Sequence, residues 1–286
     1  MNVVRFKQVD VFTERPFLGN PVAVILEAEG LTDEEMARIA RWTNLSETTF
    51  VLPSTRADYR LRIFTPGSEL PFAGHPTVGS AHAVIEAGLV TPRGGALVQE
   101  CIAGLVPLRV EADGRIAARV PAPSVDAASS LPADEVSRLL GATVVAPALP
   151  VSVGPVWLVA QAESVEALAA AHPDLPGIAA LGARGWTGLT AFAIDARPGA
   201  EARLQVRSFA PADGIAEDPV CGSGNAAVGA YLGATGLLAQ TGRAYVAAQG
   251  MAMGRDGRVA VSVHGPDHVE IGGRAVTVIE GTIRLR

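Results

Sequence analysis

Residues 62–66 read RIFTP, and residues 207–211 read RSFAP, 145 positions further along the chain. A match this short means little alone, but its surroundings repeat as well. The first copy continues through an acidic, glycine-containing loop to Ala73-Gly74-His75-Pro76 and then TVGSAHAVIEAG. The second continues through a similar loop to Cys221-Gly222-Ser223-Gly224-Asn225 and then AAVGAYLGATG. Each is a turn of small residues that opens an apolar helix. Upstream, PVAVI (21–25) resembles PVWLV (155–159), and TTFVL (48–52) parallels TAFAI (190–194). All four are strand-like apolar runs. Between the two strands of the first copy, Thr32 followed three residues on by Glu35 is a capping-box helix start. In the second copy Ser164 opens the matching helix. Five features in the same order argue for an internal duplication. Each half reads strand, helix, strands, turn, helix, strands.

A Pro-rich stretch, 121–150, separates the halves and holds a short helix from Pro132 to Leu140. The boundary is placed near 122, giving an N-terminal half over 1–122 and a C-terminal half over 123–273. The tail AVTVIEGTIRLR after Gly273 reads as a closing strand pair, and 274–286 are expected to rejoin the first half. The fold class expected is α/β of the α+β kind, in two pseudo-symmetric domains.

Composition narrows the function. The chain has 286 residues, long enough for two domains of ordinary size. Hydrophobic residues make up 49% and charged residues 18%, enough apolar material for packed cores. A net charge of −6 without a basic patch argues against nucleic acid as a partner. Apolar stretches such as 143–160 are broken by Pro and Gly, and the first residues, MNVVRFKQVDVFTERPF, lack the apolar core of a signal peptide. The expectation is a cytoplasmic protein without a membrane partner. Two cysteines, Cys101 and Cys221, make no disulfide framework. Lys7 is the only lysine and lies in a probable strand, which disfavours Schiff-base chemistry. There is no GxGxxG after a strand, no Walker loop, no HExxH and no CxxC pair. His82, His172, His264 and His268 read as surface or capping histidines, so no metal and no cofactor are expected. Abundant Arg and Ala with one Lys fit a GC-rich bacterial genome.

The two turns share a property. In Gly74-His75-Pro76, proline suits the first position of a helix, where its missing N–H has no acceptor to lose. The glycines of Gly222-Ser223-Gly224 permit unusual backbone angles and close ligand approach, and Ser223 or Asn225 can cap the helix. Helix starts at Gly74 and Gly222 would present N–H groups at the positive end of a helix dipole, a setting that favours anions. If the halves are related by pseudo-symmetry, a small carboxylate in the cleft between them meets backbone donors from both. The chemistry must then come from residues that break the repeat. Glu47 faces Leu189 in the letter alignment, His75 faces Ser223, and Ala73 faces Cys221. Asp218 lies three residues before the second turn. For Cys221 and Ser223 a catalytic role and a purely structural one are evenly balanced.

These motifs bring a family into view. GNPVAV at 19–24, LSETTFV at 45–51, RIFTP…PFAGHPTVG at 62–79 and EDPVCGSGNAAVGAYL at 217–232 resemble the PhzF-like phenazine-biosynthesis proteins, over nearly the whole chain and in order. The resemblance implies a diaminopimelate epimerase-like fold, with each domain a curved mixed sheet around a central helix. It also implies a cleft site, no cofactor and a homodimer. Carried over by motif, Glu47 matches the glutamate that moves a proton in the founding isomerase. His75, Asp218 and Ser223 match companion polar residues. Gly74 and Gly222 match turn glycines whose amides hold substrate oxygens, and Asn20 matches a substrate-contacting asparagine. Two departures stand out. Related epimerases and racemases carry a cysteine in each turn, whereas here the first is Ala73 and only Cys221 remains. Many PhzF-like members have threonine where Cys221 stands, so the thiol is either a relic or a local variation in the acid–base chemistry.

The leading expectation is an isomerase that shifts a proton on a small carboxylic acid, with Glu47, His75 and Asp218 catalytic and Asn20, Gly74, Cys221, Gly222 and Ser223 binding substrate. One alternative is an amino- or hydroxy-acid epimerase using Cys221. Another is a non-catalytic protein that binds small carboxylates.

Overall fold

The computed structural model describes residues 3–284. Its contacts divide the chain into two compact units, one of residues up to 119 together with those from 272 onward, the other of 120–271.

In the first unit the elements run β1 (Val3–Val11), β2 (Asn20–Ile25), α1 (Asp33–Thr43), β3 (Thr48–Leu52), β4 (Tyr59–Phe64), β5 (Glu69–Leu70), α2 (Gly74–Glu86), β6 (Ala96–Cys101), β7 (Gly104–Val110) and β8 (Ile116–Arg119). In the second they run β9 (Ser124–Val125), α3 (Ala133–Leu140), β10 (Leu149–Ser152), β11 (Val156–Gln161), α4 (Val165–Ala169), α5 (Leu175–Ala179), β12 (Gly188–Ile194), β13 (Leu204–Ala210), β14 (Ile215–Asp218), α6 (Gly222–Thr235), α7 (Leu238–Thr241), β15 (Ala244–Gln249), β16 (Gly257–Gly265) and β17 (His268–Gly273). The final strand, β18 (Ala275–Arg284), lies antiparallel to β1, from Val3 opposite Arg284 to Val11 opposite Ala275. This is one ten-residue strand, not the expected strand pair. The Glu280-Gly281 step that reads as a turn is held extended opposite Lys7 and Phe6.

In the first unit β1 and β2 are antiparallel, β2 and β3 parallel, β3 and β4 antiparallel, β4 and β6 parallel, and β6, β7 and β8 antiparallel. In the second, β10 and β11 are antiparallel, β11 and β12 parallel, β12 and β13 antiparallel, β13 and β15 parallel, and β15 and β16 antiparallel. The same mixed ladder is built twice. In each unit the sheet curves about one central helix. α2 touches β1, β2, β3, β4, β8 and β18; α6 touches β9, β10, β11, β12 and β16. Both helices are therefore apolar around most of their circumference, unlike a surface helix with one buried stripe. Small residues let them fit. A Cβ on Gly79 would meet Val22 at 2.5 Å and Val11 at 2.7 Å.

The outer faces carry ordinary amphipathic helices. α1 opens at Thr32, whose hydroxyl and backbone exchange hydrogen bonds with Glu35 in the expected capping box, and it buries Met36 and Ala40 against Ile25, Phe50 and Phe64. Ser164 caps α4, and Pro132 precedes α3, at the positions read from the sequence.

The repeat extends to side chains. Arg62 grips Glu69 through two 2.7 Å hydrogen bonds, and Arg207 grips Glu217 through two of 2.9 Å. Each guanidinium lies 5.1 Å from the phenylalanine ring two residues further along, Phe64 and Phe209. These paired arginines correct the alignment upstream. Thr49 pairs with Ile63, the residue after Arg62, while Thr190 pairs with Ser208, the residue after Arg207. Thr49 is therefore the counterpart of Thr190, and the letter match of TTFVL with TAFAI is off by one. Val24, opposite Thr49, likewise corresponds to Val159, opposite Thr190. Runs of Val, Phe, Ala and Leu fit neighbouring registers almost equally well by letter. Glu47 thus corresponds to Gly188, not Leu189. By the same reasoning Asp218, opposite Ser208, occupies the place of Leu70, opposite Ile63.

Candidate active site

In the first unit three polar side chains converge where β2, β3 and α2 begin. Glu47 immediately precedes β3. Its backbone carbonyl accepts from Ala23 N at 3.4 Å, which fixes it to β2. His75 is the second residue of α2 and Asn20 the first of β2. The Glu47 carboxylate lies 3.4 Å from His75 Nε2, and Asn20 Nδ2 lies 3.5 Å from His75 Nδ1. When Nδ1 accepts from Asn20, Nε2 carries the proton and turns it toward Glu47.

Glu47 is far from the solvated strand-edge carboxylate its sequence position would allow. Its side chain is 13% exposed and that of His75 5%. Glu47 Oε2 is buried and accepts no hydrogen bond of good geometry. Burial pushes its pKa from the usual 4.5 up to about 7, against the opposing pull of the Ser46 hydroxyl. A carboxyl poised there can hold or release a proton at neutral pH, the property a general base needs. Sequence reading overlooked the support beneath Asn20. Buried Asp10 accepts from Gly19 N at 3.1 Å, and a Cβ on Gly19 would lie 2.2 Å from the carbonyl oxygen of Val11. Only glycine fits there, which explains the Gly-Asn pair in GNPVAV.

Gly74 starts α2, at the end where the helix supplies no carbonyl acceptors for the first N–H groups. Pro76 is the third helical residue rather than the first, still within the turn where its missing N–H costs nothing.

The second unit assembles Asp218, Cys221, Gly222 and Ser223 at the start of α6. Cys221, not Ser223 or Asn225, is the N-cap, and its sulfur accepts from Gly224 N at 3.2 Å. Ser223 lies inside the first turn. Its hydroxyl accepts from Trp157 Nε1 at 3.0 Å and lies 3.5 Å from the Cys221 sulfur. Asp218 ends β14 and accepts from Val220 N at 3.0 Å. Gly224 is a helical residue that needs space rather than an unusual backbone angle. A Cβ there would lie 2.6 Å from Ser208 Oγ and 2.9 Å from Thr190 Oγ1. Burial and the neighbouring Asp218 carboxylate push the Cys221 thiol well above its ordinary pKa, so it stays protonated at neutral pH.

Two glutamines hold the helix starts, and sequence reading missed both. Gln249 Oε1 accepts from Cys221 N at 3.1 Å and Asn225 Nδ2 at 2.8 Å, while its Nε2 donates to the Asp218 carbonyl at 3.0 Å. In the first unit Gln99 Nε2 donates to Thr77 Oγ1 at 3.1 Å. Both glutamines are fully buried. Their signal was present: each is a glutamine in a mainly apolar strand, β6 or β15, after the central helix.

Metal-ligating side chains converge in one place among the described residues, at His264, His268 and Glu270 in the second unit. From the sequence both histidines read as surface or capping residues, with no metal expected there. Among the described residues no helix is long and apolar enough to cross a membrane.

The family model described as PhzC-PhzF, phenazine biosynthesis-like protein, matches residues 9–281. The chain belongs to this family. Within it, the chain is 35% identical to the trans-2,3-dihydro-3-hydroxyanthranilate isomerase of Pseudomonas aeruginosa, over 98% of this chain and 99% of that protein. It is 40% identical to antisense-enhancing sequence 1 of Schizosaccharomyces pombe, over 96% and 97%. The PhzF-family protein of Bacillus anthracis superposes with a TM-score of 0.86 at 29% identity, over 99% of this chain and 100% of that one. The family therefore spans a yeast as well as bacteria, and membership does not make the source of this chain bacterial.

Proposed function

We propose that this protein is an isomerase that shifts a proton on a small, unsaturated carboxylic acid, using Glu47 as general base and then as general acid. The observation that carries the reading is the Glu47 carboxyl, buried beside His75 and raised to about 7. A proton removed from one carbon can be returned at another by the same group. General acid–base catalysis of this kind is worth roughly 10²–10⁴-fold. The family relative named as an isomerase of a dihydro-hydroxyanthranilate supports the reaction class and suggests a cyclic substrate. In this reading His75 and Asn20 orient substrate against Glu47. Backbone amides at Gly74 and Gly222 hold the substrate carboxylate and the enolate-like charge that develops. Asp218 and Ser223 complete the contacts. The chemistry needs only the chain's own acid and base, which is the reading of a cofactor-independent, cytoplasmic homodimer carried over from the sequence.

The state of Cys221 weighs against the epimerase alternative, because a thiol held protonated by burial and a neighbouring carboxylate is a poor base. The test is incubation in heavy water with a panel of small cyclic and unsaturated carboxylic acids, followed by NMR. The reading predicts deuterium at one carbon together with migration of a double bond. The rate should rise with pH through about 7, as Glu47 loses its proton. Inversion at a stereocentre without double-bond migration, lost in Cys221→Ser, would establish the epimerase instead.

A further inference from the structure

The corner between β16 and β17 holds a cluster that the catalytic reading does not use. Two residues, Pro266 and Asp267, separate the strands. Val261, Val263 and Val269 turn inward, each within 3.3 Å of where a Cβ on Gly229 of α6 would sit. Successive side chains of a strand alternate faces. His264, next to Val263, and His268 and Glu270, on either side of Val269, therefore turn outward together.

On that outer face His264 Nε2 lies 3.6 Å from Glu270 Oε2, and His268 Nε2 lies 3.3 Å from Glu270 Oε1. The imidazole centroids are 4.6 Å apart, their planes tilted by 44°. One ligand atom from each of the three residues falls within 4.8 Å of the others. Bond lengths of about 2.0–2.2 Å to nitrogen and oxygen in a tetrahedral zinc site put neighbouring ligand atoms a little over 3 Å apart, so only small side-chain rotations are needed. The side chains are 51%, 35% and 22% exposed, open enough for an ion to enter. The donor set also selects the ion. Two imidazoles with one carboxylate suit borderline transition metals, whereas calcium and magnesium prefer all-oxygen shells.

We propose that His264, His268 and Glu270 form a binding site for one divalent transition ion of the zinc class, with water completing the coordination, separate from the Glu47 and Cys221 centres. The ion clips the end of β16 to the start of β17. The inner face of that corner packs on α6, so the clip stiffens the support of the helix whose first turn holds Cys221, Gly222 and Ser223.

The test is isothermal titration of tag-free, chelator-treated protein with zinc chloride, alongside His264→Ala and Glu270→Gln. The expected result is one equivalent bound, with Kd raised about tenfold or more in each variant. Thermal melts provide an independent readout. Zinc should raise the melting temperature of the wild type, because a ligand bound to the folded state stabilises it by mass action, and should leave His264→Ala unmoved. Both variants change outward-facing side chains and should match the wild-type melt without metal. No binding up to millimolar zinc, or equal binding by wild type and His264→Ala, would overturn the proposal.

Discussion

Glu47 decides the account at the residue scale, because the property that suits it to catalysis also strains the fold. Its folded pKa of about 7 lies above the unfolded 4.5. Below pH 4.5 it is protonated in both states and burial carries no ionisation penalty. As pH rises through 7 the folded protein must hold a buried charge that the unfolded chain places in water. Stability is therefore lost over this window, by about 3 kcal/mol at full effect. Glu47→Gln should abolish proton transfer yet melt higher than wild type at pH 8, with the gap closing near pH 4, as read from melts across pH. Cys221→Ser should behave differently. Serine is a better N-cap than most residues and its hydroxyl can accept the Gly224 bond, so exchange activity should persist within a few-fold and the melting temperature should hold or rise. The sequence pointed to Glu47, His75 and Asp218 because they break the duplication. It could not reveal burial, which sets the Glu47 pKa, nor the clustering of His264, His268 and Glu270. Those contacts depend on where strands end and which way alternating side chains face.

At the scale of elements, the two central helices are matched in place but not in fit. A Cβ added to Gly79 of α2 would meet Val22 and Val11 at 2.5 and 2.7 Å, whereas one added to Gly229 of α6 would lie 3.0–3.3 Å from Val261, Val263 and Val269. Valine is stiff at χ1 and these are buried, so the added methyl cannot be accommodated by an easy rotation. Gly79→Ala should cost about 1–3 kcal/mol, and Gly229→Ala distinctly less, in chemical denaturation with unchanged m-values. Helix starts at Thr32 and Ser164 were legible because capping is local chemistry. Registers were not. TTFVL and TAFAI look aligned by letter, yet the ladders displace them by one, since apolar runs tolerate a slip that the partly buried Arg62 and Arg207 contacts do not. The last strand was misread for a related reason. Glu280-Gly281 has turn composition, but the long ladder with β1 keeps it extended.

For the whole molecule, the duplicated ladder explains how a chain without visible cofactor motifs can support chemistry. The same scaffold is made twice, and selected positions then diverge: Glu47 against Gly188, and Asp218 against Leu70. RIFTP and RSFAP already marked that plan in the sequence. What they could not mark is that β1 is sandwiched between β2 and β18, with buried Lys7 holding Glu86 at 2.6 Å and Glu280 at 3.2 Å. Deleting residues 274–286 strips one neighbour from β1 and one carboxylate from Lys7. The truncated chain should expose a long sheet edge and lose solubility, a result readable by sedimentation and circular dichroism. The central claim, that the molecule moves a proton through Glu47, is tested most directly by deuterium uptake from heavy water. The measurement compares wild type and Glu47→Gln on whichever carboxylic acid the wild type turns over. The account predicts uptake by the wild type and at least a hundredfold loss in the folded variant, about the contribution of one general base. Full uptake by a folded Glu47→Gln protein would contradict it.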